Sequence, residues 1–238
     1  MKARSPALDF NENKNYLCWR ARKTGYGEYE DGRWRWALYD LDLENGNYGV
    51  VVEDINTFTM DTHYAGAAFN TRPLYVALKR NEDFRRQFVL SFMDMVNTDF
   101  TVERATEAME SWEITMHWWG MYPEWMENYF PARTESVTGY LAEEFGLTGS
   151  RETVKLSVND TDAGYIILNT ILPDLSNGEW SGSYFTDYPV TVTAVANDGY
   201  VFAGWQCEET QAENAERNTV EMKIPAGGLT LRAVFEKE

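Results

Sequence analysis

Two carboxylates, Asp40 and Asp42, stand two positions apart directly after the tryptophan-rich run GRWRWAL of residues 32–38. In an extended chain, residues i and i+2 project to the same side. Carboxylate oxygens held that way suit a hard divalent cation such as Mg²⁺. Taken alone, such a pair is more often the solvated start of a loop. Arg20, Arg22, Lys23, Arg33 and Arg35 lie just upstream and carry the charge to hold phosphates, although alternating cations on a strand more often form a solvated face. Trp112, Trp118, Trp119, Trp125 and Tyr129 can stack on sugar rings if exposed, but their helical spacing favours core packing. Trp180, Tyr184, Tyr200 and Trp205 raise the same question: Gly199-Tyr200, Phe202 and Gly204-Trp205 look like strand positions that pack a small core, with an adhesive or glycan-binding unit as the alternative. His63 and His117 lack a ligand spacing, and Cys18 and Cys207 are distant with no CxxC pattern. A zinc site and a disulfide framework are therefore both disfavoured, and the cysteines read as unpaired thiols.

These residues need a scaffold. The alternation of Trp34, Trp36 and Leu38 predicts a strand within Gly32–Leu43 that runs into a loop at the acidic pair. Asn15–Arg22 is its expected partner, with Tyr16, Cys18 and Arg20 on one face and Gly25–Gly32 as a long turn. From Thr71 the period becomes helical. Pro73 suits a first turn and Leu74, Ala77 and Leu78 form a stripe. Asn81 reads as an N-cap, followed by Glu82 and Asp83 in the first turn and by Phe84, Phe88, Phe92 and Met95 on one face. A third helix is expected from Thr101 with Ala105, Ala108, Met109 and Trp112 inward. A fourth is expected from Trp125 to Phe145, with a break at Pro131 and a stop at Gly146. After Gly149 six short runs read as strands: 155–158, 165–168, 190–194, 200–205, 220–224 and 229–235. The fold class is α+β, with a mainly helical part at 1–150 that includes a β-hairpin and a small all-β, sandwich-like part at 151–238.

Composition narrows the partners. Hydrophobic residues make up 44% of 238, enough for a real core and against a disordered chain. Against 21 basic residues stand 38 acidic ones, a net charge of -17 that disfavours nucleic acid as a partner. No apolar run reaches the ~18 residues expected of a membrane helix, and MKARSPALDF lacks the apolar stretch of a secretion signal.

The string DGRWRWALYDLD, preceded by NYLCWR, resembles the CotH family of spore-coat and secreted kinase-like proteins. The resemblance continues through RNEDFRRQFVLSFMDMVNTDFT, the MHWW segment at His117 and ENYFPARTESVTGYLAEEFGLTG. GEWSGSYFTDYPVTVTAVANDGYVFAGW then resembles the β-repeat tails of bacterial surface proteins. The resemblance implies a kinase-like C-lobe and an atypical protein kinase that phosphorylates Ser-rich coat or surface proteins with ATP and Mg²⁺ or Mn²⁺. Asp40 would be the metal-binding aspartate, Asn15 the second metal ligand, Asp9 the catalytic base, and Asp42 a support for the metal. Asp9 is followed by Phe10 where the family has Trp, the family's Pro is absent, and one extra residue before Asn15 leaves Asn13 or Lys14 as alternatives. Only eight residues precede Asp9, so the resemblance also implies that the nucleotide-clamping lobe is missing. It places the protein outside the cell, on the cell surface or in the spore coat, with surface or glycan contact through the β-module. A non-enzymatic adhesion or structural protein on the same scaffold is the alternative. A glycosidase is a third reading and would need carboxylates ~5 to 9 Å apart across a groove.

Overall fold

The structure, a computed structural model, describes residues 16–25, 27, 29–38, 56, 58, 72–110, 123–207 and 216–238. The chain divides into two compact units that interleave in sequence, Met1–Arg85 with Gly120–Glu144, and Arg86–Trp119 with Phe145–Glu238.

In the first unit, β1 (Tyr16–Trp19) and β2 (Arg35–Leu38) form an antiparallel hairpin with Tyr16 opposite Leu38 and Trp19 opposite Arg35. Trp34 lies outside β2 and is 56% exposed. The short helix α1 (Arg72–Leu78) buries Tyr75 and leaves Leu74 54% exposed, so the expected Leu74, Ala77 and Leu78 stripe is out of phase. Tyr75 takes the inward position because both halves of its side chain find partners there. Its ring packs edge-on against Phe84 at 6.4 Å, and its hydroxyl donates to Glu144 Oε1 at 3.0 Å. Lys79 pairs with the same carboxylate at 3.0 Å.

The helix α2 (Glu82–Thr98) begins as its sequence predicts: Asn81 Oδ1 accepts from the Phe84 N–H at 2.9 Å, an N-cap with Glu82 and Asp83 in the first turn. From Arg86 onward α2 belongs to the second unit. The helix α3 (Val102–Glu110) starts at Thr101, whose hydroxyl accepts from the Arg104 N–H, and leaves Ala108 exposed rather than inward. The fourth helix, α4 (Pro123–Phe145), runs through Pro131 without the expected break and stops at Gly146. Pro131 removes one backbone donor, but its side chain is exposed and the buried face of Val137 and Leu141 holds the following turns in place. Gly146 has a φ of 62°, the left-handed stop that glycine adopts without steric cost.

The second unit holds two sheets, built from β3 (Arg151–Val158), β4 (Gly164–Leu168), β5 (Glu179–Phe185), β6 (Val190–Ala196), β7 (Tyr200–Cys207), β8 (Thr219–Met222) and β9 (Leu229–Lys237). One sheet has the order β5-β3-β9-β7 and the other β4-β6-β8. The β3–β9 pair is parallel and the remaining pairs are antiparallel. Alternate residues such as Val154, Leu156, Ile166, Leu168, Val190, Val192, Leu229 and Leu231 are buried, the period-2 pattern of strands with one core face. The α+β class holds.

The strand β5 is the one the sequence reading missed. Its run EWSGSYF has no apolar alternation and contains Gly182. The glycine is required by close approach, because a Cβ there would collide with the Trp180 ring and lie 2.9 Å from Asn97 Cγ.

Candidate functional site

The site residues expected from sequence, Asp9, Asn15, Asp40 and Asp42, lie outside the described residues, as do His63, His117, Trp112, Trp118 and Trp119. Described are the two strands that neighbour Asn15 and Asp40 in sequence. The pairing of Tyr16 with Leu38 brings the start of β1 and the end of β2 to one end of the hairpin. Asn15 is bonded to the first of these residues, and the chain toward Asp40 continues from the second. Among the described residues, no group of three or more His, Cys, Asp or Glu side chains could hold a metal.

At the other end of the hairpin the chain is braced by charge and aromatic contacts. Arg35 donates to both carboxylate oxygens of Asp31, at 2.8 and 2.9 Å. The Arg35 guanidinium also lies 5.6 Å from the Trp19 ring and 5.1 Å from the Tyr29 ring. A fork-shaped, delocalised cation can make both kinds of contact together. The side-chain bond from Arg35, then the Arg33 N–H, hold the Asp31 carboxyl down at about 2. Arg20 lies 4.9 Å from the Trp34 ring centroid. Of the five basic residues singled out in the sequence, Arg35 is thus a structural brace and Arg20 rests on an aromatic face, while Arg22 and Lys23 are exposed.

Of the remaining aromatic candidates Tyr129, Tyr184 and Trp205 behave as core, Trp180 and Tyr200 are half-buried, and the side chain of Trp125 lies outside the described ones. Tyr129 is buried against the edge of Phe130 at 5.4 Å. Trp205 is buried with its Nε1–H donating to the Arg217 carbonyl at 3.0 Å, and Tyr184 is completely buried. Two buried ionisable side chains escaped the sequence reading. Arg133 on α4 is completely buried, where a charge requires partners. Asp94 on α2 is 1% exposed and sits at the centre of a polar cluster in the second unit.

The Asp94 cluster is built from the loop after β4 and from β5. Oδ1 accepts from Asn169 Nδ2 at 2.9 Å and from the Tyr184 hydroxyl at 2.8 Å. Oδ2 accepts from the Thr170 hydroxyl at 2.8 Å and from its N–H at 3.2 Å. Burial pushes the Asp94 carboxyl above its ordinary value, opposed by the bonds from Asn169, Thr170 and Tyr184. Burial and then the charge of Asp94 push the Tyr184 hydroxyl up as well, so it stays protonated and donates. One helical turn on, Asn97 accepts from the Ser183 N–H and donates to the Ser183 carbonyl, both at 2.9 Å. Its amide thereby stands in for a neighbouring strand on the open edge of β5. A carboxylate with two donors on each oxygen has its acceptor sites filled, so this cluster fastens a helix to a sheet and is not a catalytic centre. At helical spacing Asp94 shares a polar stripe with Gln87, Ser91 and Thr98, so the sequence alone reads it as solvent-facing and carries no signal for the buried cluster.

Comparison with known proteins matches the order of these parts. Residues 171–238 match the divergent InlB B-repeat domain, so the C-terminal strands are similar to a repeat of that type. No curated protein and no solved structure matches the chain. Residues 6–132, more than half of the chain, match the CotH kinase protein family, from before the hairpin into α4. The chain belongs to the CotH kinase protein family.

Proposed function

We propose that this chain is a phosphotransferase that moves the terminal phosphoryl group of ATP to serine hydroxyls of Ser-rich coat or surface proteins. In this reading Asp40 and Asn15 hold Mg²⁺ or Mn²⁺, Asp42 supports the ligand set, and Asp9 accepts the hydroxyl proton as the serine oxygen bonds to phosphorus and ADP leaves. Carboxylate and amide oxygens are hard donors and fit such a cation. When bound, the cation supplies positive charge to the phosphates; Asp9 supplies the base.

The observation that carries the reading is the hairpin register within the CotH match. An antiparallel pair with Tyr16 opposite Leu38 returns the chain to the end where β1 began, which is where an Asn15 and Asp40 pair has to be joined to act on one nucleotide. The family and the repeat support a place at the cell surface or in the spore coat, with the β-module as the surface-contacting part of this reading. Among the described residues no helix is long and apolar enough to cross a membrane. The second reading, a non-enzymatic surface or coat protein, is favoured by the B-repeat-like module.

The test is incorporation of labelled phosphate from ATP into a Ser-rich peptide with Mg²⁺ or Mn²⁺. Asp40→Ala should lower the rate by about 100-fold or more, since electrostatic stabilisation of the transferred group is usually the largest contribution to catalysis. Incorporation that survives Asp40→Ala, or none with either metal, overturns the proposal.

A further inference from the structure

We propose that the loop end of the hairpin, formed by residues 19–25, 27 and 29–35, is a docking surface for a phosphoserine-bearing peptide segment. The first support is local charge. Residues 19–35 carry five of the chain's 21 basic residues and three of its 38 acidic ones, a patch of net +2 in a chain of net -17. An anionic peptide is repelled by most of this protein and attracted here.

The second support is the way the loop's charges are used. Asp31 is taken up by the two-pronged contact with Arg35, and the Glu30 carboxylate accepts from the Gly27 N–H. Arg20, Arg22 and Lys23 form no ion pair among the described residues and remain exposed, with Arg20 aligned over the exposed Trp34 ring. Guanidinium groups match phosphate oxygens in pairs, and an ammonium adds a point charge.

The third support is pre-organisation. The turn is closed by the Gly25 N–H on the Glu30 carbonyl and the Glu30 N–H on the Gly27 carbonyl, both at 2.9 Å, and is braced by Arg35 against Trp19 and Tyr29. A loop already held in shape loses little freedom when a peptide settles on it. Trp34 and Tyr29, each more than half exposed, offer flat apolar surface beside the cations for the peptide's uncharged parts. Nucleic acid fits less well, because a long run of phosphates meets a chain of net charge -17 with only a short basic patch.

The identity of the peptide as substrate or product rests on the phosphotransfer reading; its binding does not. Fluorescence anisotropy with a labelled Ser-rich peptide carrying several phosphoserines, compared with the same peptide unphosphorylated, is run without ATP or metal. The phosphopeptide should bind about tenfold or more tightly, and the combined variant Arg20→Ala, Arg22→Ala, Lys23→Ala should remove that preference. These three side chains are exposed, so an unchanged circular dichroism melt confirms that the variant is folded. Equal binding of the two peptides, an undiminished preference in the variant, or equally tight binding of a single-stranded oligonucleotide of matching charge overturns the proposal. A chain that prefers the phosphopeptide but transfers no phosphate supports the docking surface and sinks the phosphotransfer reading alone.

Discussion

Replacing Asp94 should loosen the second unit more than most single substitutions. Asp94→Ala removes the acceptor of four hydrogen bonds and leaves a cavity at the α2–sheet contact. The losses are unequal. Thr170 is exposed and recovers its bonds from water, Asn169 is half-buried and recovers part, and Tyr184 is completely buried and recovers none. A buried donor left unsatisfied costs ~1–3 kcal/mol. Relief from burying a charge offsets part of the loss, so the net comes to about 3 kcal/mol, a large share of the ~5–15 kcal/mol that stabilises a typical domain. Asp94→Asn keeps the shape but turns an amide donor toward donors, and should cost about half as much. Urea unfolding reads this as a midpoint lowered by about 1 M or more with unchanged slope. Combining Asp94→Ala with Tyr184→Phe should cost clearly less than the sum of the two, because both remove one bond. A loss below about 0.5 kcal/mol for Asp94→Ala, the range of ordinary surface changes, would refute the argument. The pH dependence has a definite sign. With the folded carboxyl raised above its unfolded value, the contribution of Asp94 is complete in acid below the unfolded value, and it is lost as pH rises through the folded one. Asp94→Asn should therefore flatten that part of the stability profile.

Two further outcomes follow from the first unit. Pro131→Ala restores a backbone donor within α4 at an exposed position and should raise stability by about 1–3 kcal/mol, read as a higher melting temperature; a lower one would mean that the proline ring is needed where it stands. The Asp31 carboxyl should titrate near 2 by NMR, so whatever it adds to the hairpin is present above its unfolded value and lost as pH falls through about 2; in Arg35→Gln it should return to the ordinary carboxylate range, and no change there would remove Arg35 as the cause.

What the sequence made legible follows from the kind of signal each element carries. The N-cap at Asn81, the glycine stop at Gly146 and six of the seven C-terminal strands are local patterns of capping, backbone freedom and alternation, and the structure has them. The strand β5 was invisible because its open edge is completed by a side chain far away in sequence, Asn97, and because Gly182, over which Trp180 of the same strand lies, interrupts its pattern. The face of α1 was misjudged because the partner of Tyr75, Glu144, is 69 residues away, and no helical period reports that acceptor. The Asp-Leu-Asp motif could be recognised by residue type, and the hairpin leading to it by alternation. Its geometry depends on residues outside the described ones.

The same reasoning sets how the family segment and the repeat-like segment are joined. Asp94 and Asn97 lie within residues 6–132, and Tyr184 and Ser183 lie within residues 171–238, yet all four meet in one unit. A cut near residue 150, where the periodicity changes, would strip β5 of its edge partner and leave Tyr184 as a buried hydroxyl with no acceptor. It would also expose apolar surface that α2 buries within the second unit, at about 25 cal/mol for each Å². Both pieces would be destabilised at the same surface. The module is therefore held by α2 as part of one folded unit rather than tethered beside it, and its outward face is presented in a fixed orientation to that helix.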